Sequence, residues 1–230
     1  MNIALISEYL ETYQGRDKFL KTLSYMAKFA TLGVSSNETN KKLKIFSNQM
    51  NECRMILRLL NDIPMIHYAM KYEWKKEESD WLIRYAELTQ ILIDIIFCPI
   101  EHIFWAGKHK LIKINNKIWD NASTWLWIIS LQLSLLKSLR KIKFNNYKIH
   151  LSEINYNTRL TLKTINKQKW NELLTCIRLI LDISYAISYL PSGILWAGQL
   201  KTWHIGVLGS LSSLIGLYQT FNKQEEHKNF

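Results

Sequence analysis

The last third of the chain decides the fold, and residues 173–221 read LLTCIRLILDISYAISYLPSGILWAGQLKTWHIGVLGSLSSLIGLYQTF. The run from Trp203 to Phe221 contains no Asp, Glu, Lys or Arg, and Lys201 and Lys223 flank it. As an α-helix this run would be roughly 28 Å long, close to the thickness of a bilayer's hydrocarbon core. It therefore predicts a C-terminal transmembrane helix. The alternative is a buried helix of a soluble all-α protein.

Small residues recur along this predicted helix at spacings of three and four. Gly206 with Ser210, and Gly209 with Ser213, form small-xxx-small pairs. Such pairs let two helix backbones approach closely in lipid, where van der Waals packing drives association. We therefore predict a helix-packing contact through Gly206, Gly209, Ser210, Ser213 and Gly216.

The composition favours long helices and an anionic partner. Three prolines and eight glycines in 230 residues are too few for a fold rich in tight turns, which favours an all-α fold. The net charge of +11 predicts binding to nucleic acid or to a membrane surface. Aromatic residues mixed with lysines at the ends of apolar runs are typical of a lipid interface. Because no nucleic-acid-binding motif is present, we expect a membrane-associated helical bundle and no nucleic-acid partner.

The cysteines and the amino terminus indicate a protein that faces the cytosol. Cys53, Cys98 and Cys176 are odd in number and far apart in apolar sequence, as expected of reduced, buried thiols. The first residues, MNIALISEYLETYQG, lack the basic and then apolar regions of a secretory signal.

Residues 42–63 form the clearest amphipathic segment. At 100° per residue, one arc of the helix is apolar and consists of Ile45, Phe46, Met50, Cys53, Ile56, Leu57, Leu60 and Ile63. The opposite arc is polar, apart from the intruding Met55 and Leu59, and consists of Lys44, Asn48, Asn51, Arg54, Arg58 and Asp62. Such a helix fits a headgroup plane, with its apolar arc inserted and its arginines on anionic lipid. The alternative is an ordinary bundle helix with a solvated face, and in both cases Pro64 is expected to kink or end it.

The middle of the chain holds two apolar runs, and we expect the first of them not to cross a bilayer. Residues 81–112 carry Arg84, Glu87, Asp94 and Glu101, and four charges in one span are costly, so a bundle or interfacial helix is predicted. Pro99 is expected to break that helix. Residues 124–136 are free of charge but short for a span, unless Lys137 and Arg140 snorkel to lengthen it.

Two charged stretches lie beside these apolar runs. Residues 71–80 read KYEWKKEESD and predict a charged linker. Residues 137–169 are strongly basic and suit either a connecting loop or a basic surface that faces a membrane.

No catalytic or cofactor-binding motif is present. The chain lacks a phosphate-binding glycine loop, a nucleophile elbow and the His-Glu-x-x-His zinc motif. Glu101, His102 and His109 are the candidate metal ligands, but their spacing does not build a tetrahedral site. Arg178 precedes Asp182 by one helical turn, which predicts an ion pair between them. We therefore expect no enzyme activity, no catalytic residue, no cofactor and no metal.

Four segments of the chain, taken together, resemble one known family. They are TYQGRDKFLKTLSYMAKF (12–29), NECRMILRLLND (51–62), FCPIEHIFWAGKHKLI (97–112) and YLPSGILWAGQLKTWHIGVLGSLSSLIGLYQ (189–219). In this order they resemble the amino-terminal signature, the amphipathic helix, the central motif and the membrane segment of the peroxin-eleven family of peroxisomal membrane proteins, most like its gamma type. Residues 140–170 match none of the family's segments.

The resemblance implies one domain over residues 1–230. Its predicted parts are amphipathic N-terminal helices (1–72), central apolar helices (81–139), a basic polar linker (140–170) and a C-terminal membrane segment (171–221).

The resemblance also implies a function. Members of this family elongate and divide peroxisomes, because an amphipathic helix wedges into the cytosolic leaflet and curves it. Carried over to this chain, membrane insertion falls on Phe46, Met50, Leu57 and Leu60, and headgroup contact falls on Lys44, Arg54 and Arg58. The glycine and serine face of residues 206–216 becomes the membrane anchor and an expected contact between copies. The implied partners are anionic peroxisomal lipids, further copies of the chain, related family members and fission machinery on the cytosolic side.

The family's usual topology, multi-pass with both termini in the cytosol, conflicts with the charge pattern. If residues 124–139 and 203–221 both span, the basic stretch 140–170 lies in the lumen, against the positive-inside tendency. Either residues 124–139 are interfacial, or the rule is weak for proteins inserted after synthesis. The alternative function is a channel or carrier for small metabolites, lined by the charged positions of residues 84–101. A soluble nucleic-acid binder is the third possibility.

Overall fold

The computed structural model describes residues 3–60, 62–72, 80–154 and 159–228, and in these ranges it contains eight α-helices and no strand. The helices are α1 (Ile3–Glu11), α2 (Tyr13–Ala30), α3 (Asn37–Leu59), α4 (Asp62–Lys71), α5 (Trp81–Lys108), α6 (Asn116–Ile154), α7 (Arg159–Ile187) and α8 (Thr202–Lys228). The predicted all-α fold class is confirmed. Residues 73–79, most of the predicted charged linker, lie outside the described residues.

The helix boundaries follow local capping chemistry. The Thr12 side chain accepts a hydrogen bond from the Gly15 amide at 3.0 Å, at the start of α2. The Asp80 carboxylate accepts one from the Leu82 amide at 3.1 Å, at the start of α5. Pro64 lies in the first turn of α4, where its missing N–H leaves no hydrogen bond unmade. The predicted amphipathic segment is therefore divided between α3 and α4 just before this proline.

Two predicted interruptions of the helices are wrong. Helix α5 continues through Pro99, which lies on its exposed side, because a helix tolerates an interior proline at the cost of one hydrogen bond and a bend. Residues 140–154 and 159–170, offered above as a connecting loop or linker, are helical. Residues 116–187 contain no Gly or Pro, so nothing in their local chemistry breaks α6 or α7 before residue 154 or after residue 159.

The six longest helices pack in the order α3, α2, α8, α7, α6, α5, and α5 then returns to α3. The first five of these contacts are extensive. The last one, between α5 and α3, is made largely through charged side chains. The bundle is thus closed by ion pairs.

One cluster of buried apolar residues lies between α6, the end of α7 and the segment that follows α7. Its buried residues are Ile128, Ala186, Ile187, Leu190 and Ala197. Tyr185 is completely buried beside them, with its ring centroid 4.9 Å from that of Tyr25 and 5.7 Å from that of Trp127. Aromatic contacts therefore join α2, α6 and α7.

The segment between α7 and α8 folds back onto α7. The indole N–H of Trp196 donates to the Ser184 carbonyl at 2.8 Å, and the Gly198 amide donates to the Ser188 carbonyl at 3.1 Å. Gly198 has a φ of 74°, which glycine adopts without strain. Residues 191–193, which read Pro-Ser-Gly as is typical of a turn, turn the chain back toward α8.

Among the described residues, one helix is long and apolar enough to cross a membrane, and it is α5. Little of its apolar stretch is buried inside the protein. The sequence had favoured residues 203–221 as the span and had placed residues 81–112 in the bundle or interface. By length and composition the candidate span is therefore α5, and one of the charged residues within it, Glu101, is paired with Arg58. Helix α8 forms where predicted, but polar and small residues lower its hydropathy.

Candidate functional site

The outward surface of α3 and the start of α4 carries a group of large apolar side chains. Five large side chains form this outer face, and all are exposed: Ile45, Phe46, Ile56, Leu60 and Ile63. Leu60 and Ile63 each keep 79% of their surface accessible. Met50 and Leu57 lie half-buried at its edge. Cys53 is exposed within it, so the expectation of a buried thiol is wrong at this position, because the apolar arc of α3 faces outward. Exposed large apolar side chains gathered on one face in this way mark an interaction surface.

The inward surface of α3 is polar. Ser47 is completely buried, and its hydroxyl lies 2.9 Å from that of Ser24 in α2. The Ser24 hydroxyl also lies 3.1 Å from the Ser47 carbonyl, to which it can donate. Small hydroxyl side chains let α2 and α3 approach closely while their polar groups stay satisfied. Helix α3 is therefore inverted relative to a helix of a water-soluble bundle.

Arg54 binds an acidic residue of α2. Its Nε donates to Asp17 Oδ1 at 2.9 Å, and its Nη2 donates to Asp17 Oδ2 at 3.4 Å. Both side chains are largely buried. This two-point contact uses the planar fork of the guanidinium, which a lysine would not reproduce.

Arg58 binds an acidic residue of α5. Its Nε lies 3.0 and 3.1 Å from the two carboxylate oxygens of Glu101, and its Nη2 donates to the same group. Burial alone would lower the pKa of Arg58, but the hydrogen bonds and negative charge of Glu101 raise the pKa above its ordinary value. The pair therefore stays ionised and holds α3 against α5.

The predicted site residues thus fall into two groups. Phe46 and Leu60 lie on the exposed outer face, and Lys44 is exposed close to Phe46. Arg54 and Arg58 point inward and bind carboxylates of the same chain. Headgroup contact by any of the three basic residues stays a prediction.

The partners of the two arginines were missed from the sequence. Asp17 and Glu101 lie 37 and 43 residues away from them, beyond the reach of a helical-wheel argument. For Glu101 the available signal was that it interrupts an apolar segment, so its carboxylate needed a partner. Asp17 lies between Arg16 and Lys18 and carried no such signal.

The candidate metal ligands do not come together, and each makes contacts with other parts of the chain. The Nε2 atom of His102 lies 3.2 Å from the Leu59 carbonyl and 3.4 Å from an Asp62 oxygen. His109 lies near Glu52, which also pairs with Lys108. In the part of the chain that the structure describes, no three His, Cys, Asp or Glu side chains come together as a metal site.

A third buried ion pair joins α2, α7 and α8. The Nζ of Lys21 lies 3.1 Å from both carboxylate oxygens of Asp182, and the Ser212 hydroxyl donates to the same carboxylate. Burial lowers the pKa of Lys21, although Asp182 opposes that effect. Asp182 therefore pairs with residues of other helices. The predicted pair with Arg178 is wrong, because the carboxylate is directed toward Lys21 of α2 and Ser212 of α8.

The small residues of α8 pack against helices of the same chain. A Cβ added at Gly206 would lie 2.2 Å from the backbone nitrogen of Phe29, and one added at Gly209 would lie 2.2 Å from the Tyr25 ring. Ser210 and Ser213 are buried, and the Gly216 backbone faces Arg178. These residues let α8 approach α2 and α7, and their predicted contact with another copy of the chain stays a prediction.

Replacing Gly206 by alanine should destabilise the protein by roughly 1–3 kcal/mol, because the new methyl group overlaps the rigid backbone of α2. Thermal unfolding of the full chain in detergent micelles, followed by circular dichroism, measures the effect. Gly33→Ala is the matched control, since a Cβ there meets nothing within 4 Å. Equal unfolding midpoints for the two variants would contradict the close contact between α2 and α8.

Comparison with known proteins gives a consistent picture. The family model described as Peroxisomal biogenesis factor 11 (PEX11) matches residues 3–221. The chain is 29% identical over 223 residues to Peroxisomal membrane protein 11C of Homo sapiens, covering 93% of this chain and 92% of that protein. It is 24% identical over 145 residues to Peroxisomal membrane protein PMP27 of Saccharomyces cerevisiae, covering 62% of this chain and 60% of that protein. No solved structure matches.

Proposed function

Since residues 3–221 match its model, the chain belongs to the peroxisomal biogenesis factor 11 (PEX11) family, and on this premise we propose that it remodels the peroxisomal membrane by inserting α3 and α4 into one leaflet. Its relatives are named as peroxisomal membrane proteins. Insertion on one side of a bilayer enlarges that leaflet relative to the other, which bends the membrane and promotes elongation and fission.

The inverted arrangement of α3 carries this proposal. Its apolar outer face is exposed, while its arginines are bound to Asp17 and Glu101 inside the bundle. A helix that faced water would lose stability from this arrangement, whereas a helix in an interface gains from it. The proposed insertion therefore uses the outer face as it stands, with no rearrangement of the bundle.

Apolar contacts should supply most of the insertion free energy. Each large side chain of the outer face contributes roughly 1–2 kcal/mol when its exposed part enters lipid. An exposed lysine near anionic headgroups adds about 1 kcal/mol to the binding free energy, and added salt weakens this contribution. Exposed lysines lie at one end of α3, at Lys41, Lys42 and Lys44. Charge therefore orients the helix, and the outer face holds it in the membrane.

A charge-reversal cycle separates the internal role of Arg58 from a role at headgroups. Arg58→Glu faces two carboxylates toward each other and should destabilise the bundle by about 3–5 kcal/mol. Adding Glu101→Arg should restore most of the unfolding midpoint and most of the tubulation of anionic vesicles. Both quantities are measured on reconstituted full-length protein.

The exposed Lys44→Glu is the control for this cycle. It should weaken tubulation without changing the unfolding midpoint, because Lys44 is exposed. If the double reversal recovers stability but tubulates no better than Arg58→Glu alone, Arg58 acts on lipid headgroups.

We further propose that the protein is multi-pass with both termini on the cytosolic side, that it associates with itself and with related family members, and that it helps to gather fission machinery there. Self-association is supported by the outward side of α8, where Leu211, Leu214 and Tyr218 are exposed. The small residues on the opposite side are already engaged with α2 and α7. The lipid partners are anionic, in keeping with the net charge of +11.

The channel or carrier alternative has less support from the geometry. Its candidate charges are engaged in contacts: Glu101 with Arg58, Asp94 with Gln90, and Glu87 with the Tyr72 hydroxyl. Solute flux through reconstituted protein that is lost in Asp94→Asn would favour this alternative.

A further inference from the structure

A cavity of about 610 Å³ lies where the junctions α1–α2 and α3–α4 meet the end of α8. Its volume is in the range of pockets that bind small molecules. No part of the proposed membrane insertion requires such a cavity.

One side of the cavity is polar and basic. Lys18 is the charged residue among the described residues that line it, and its Nζ also donates to the Thr220 hydroxyl at 2.8 Å. The Tyr9 side chain lines the same side and is only 3% exposed. In the described part of the chain its hydroxyl makes no hydrogen bond of normal geometry, and the nearby Thr220 hydroxyl, which acts to lower the pKa of Tyr9, already accepts from Lys18. A buried polar group without a partner is costly, so this hydroxyl is available to a bound molecule.

The phenols of this side act as donors at neutral pH. Burial raises the pKa of Tyr9 and of Tyr13, so both hydroxyls keep their protons. Two acidic side chains also act on Tyr13, but Asp17 and Glu101 are each neutralised by an arginine. An ammonium group and phenolic donors together favour an anionic oxygen.

The other side of the cavity is apolar. It is formed by Leu57, Leu60 and Pro64, from the junction of α3 and α4. Leu60 belongs to the outer face, so the apolar side is continuous with the surface proposed to enter the membrane. A molecule in the cavity can therefore extend a hydrocarbon chain toward lipid.

We propose that this cavity binds an anionic amphiphile, with a carboxylate or phosphate group on Lys18 and Tyr9 and an alkyl chain on Leu57, Leu60 and Pro64. Two sources share this chemistry: a free long-chain fatty acid and a bilayer phospholipid with an exposed phosphate. The site is a separate property of the chain and does not depend on membrane bending.

The test uses the full-length protein in a neutral detergent and a stearic acid that carries a photoreactive diazirine on its chain. Saturable labelling should map by mass spectrometry to the peptide that contains Leu57 and Pro64. Lys18→Gln should weaken labelling roughly tenfold or more, and Tyr9→Phe roughly threefold to tenfold. Lys18→Arg should keep most of it. The diazirine analogue of stearyl alcohol, which lacks the charge, should label at least tenfold more weakly.

Lys201→Gln is the matched control, because it removes an exposed charge far from the cavity lining and should leave labelling unchanged. Thermal unfolding of each variant shows whether it is folded. If Lys18→Gln does not fold, the comparison of Lys18→Arg with the wild-type chain still tests the site. Equal labelling by the acid and the alcohol, labelling unchanged in Lys18→Gln, or cross-links that map elsewhere would each overturn the proposal.

Competition distinguishes the two sources. If phosphatidate displaces the probe as well as stearate does, the occupant is a bilayer phospholipid. If only single-chain acids displace it, the occupant is a free fatty acid. Either result supports the site, and both are independent of whether the protein tubulates vesicles.

Discussion

Full-length protein with Ile45, Phe46, Ile56 and Leu60 all replaced by serine will stay folded but will no longer tubulate reconstituted anionic vesicles. The four side chains are exposed, so their replacement removes little packing inside the bundle. Each contributes roughly 1 kcal/mol or more to insertion, and together the loss of about 4 kcal/mol shifts the insertion equilibrium of α3 roughly a thousandfold. Electron microscopy of the vesicles measures tubulation, and circular dichroism of the protein measures whether it stays folded.

The matched control replaces Asn48 and Gln49 by serine. Both are exposed polar residues of the same helix, and their replacement should leave tubulation intact. Tubulation that survives the loss of the four apolar side chains would show that α3 does not act as an inserted wedge.

Asp182→Ala will lower the stability of the bundle by about 3–5 kcal/mol, because Lys21 is then left as a buried charge without its carboxylate. For a chain of this length the unfolding midpoint should fall by roughly 6–20 °C. The Ser212 hydroxyl loses its acceptor at the same time, which loosens α8 from α7. Thermal unfolding in detergent micelles measures this change in the unfolding midpoint.

Removing both charges tests the reason for this loss. The double variant Lys21→Met with Asp182→Leu should recover most of the midpoint, since apolar residues of similar volume can replace a buried pair. Glu38→Ala, which breaks an exposed pair with Lys42, should cost less than 1 kcal/mol. An Asp182→Ala variant as stable as Glu38→Ala would mean that the buried pair does not hold α2 to α7.

The sequence predicted the division of α3 into two faces but not their direction. Helical periodicity correctly grouped Phe46 with Leu60 on one side and Arg54 with Arg58 on the other. Periodicity does not say which face is inside, because an apolar face is buried in water-soluble proteins and exposed in lipid-facing ones. The direction depends on Asp17 and on Glu101, which lie on other helices.

Contacts with other helices also explain why the sequence alone did not identify which of two apolar segments is the candidate membrane span. Residues 203–221 lack charges, but their glycines serve contacts with α2, which no local pattern reveals. Helix α5 carries charges, and the cost of burying Glu101 depends on Arg58, supplied from α3. Helicity is a local property and was predicted correctly. The lengths of α5 and α6 were not, because neither Pro99 nor the basic residues of α6 end a helix.

The three cysteines have very different surroundings, and this difference makes the native chain its own reporter. Cys53 is exposed on the outer face, whereas Cys176 is buried and the Cys98 thiol lies 3.8 Å from the Met65 sulfur. Burial also raises the pKa of the Cys176 thiol, which makes it a poorer nucleophile. A fluorescent maleimide therefore labels the natural sequence at the position whose surroundings change from water to hydrocarbon, and its emission follows that change in time without any engineered residue.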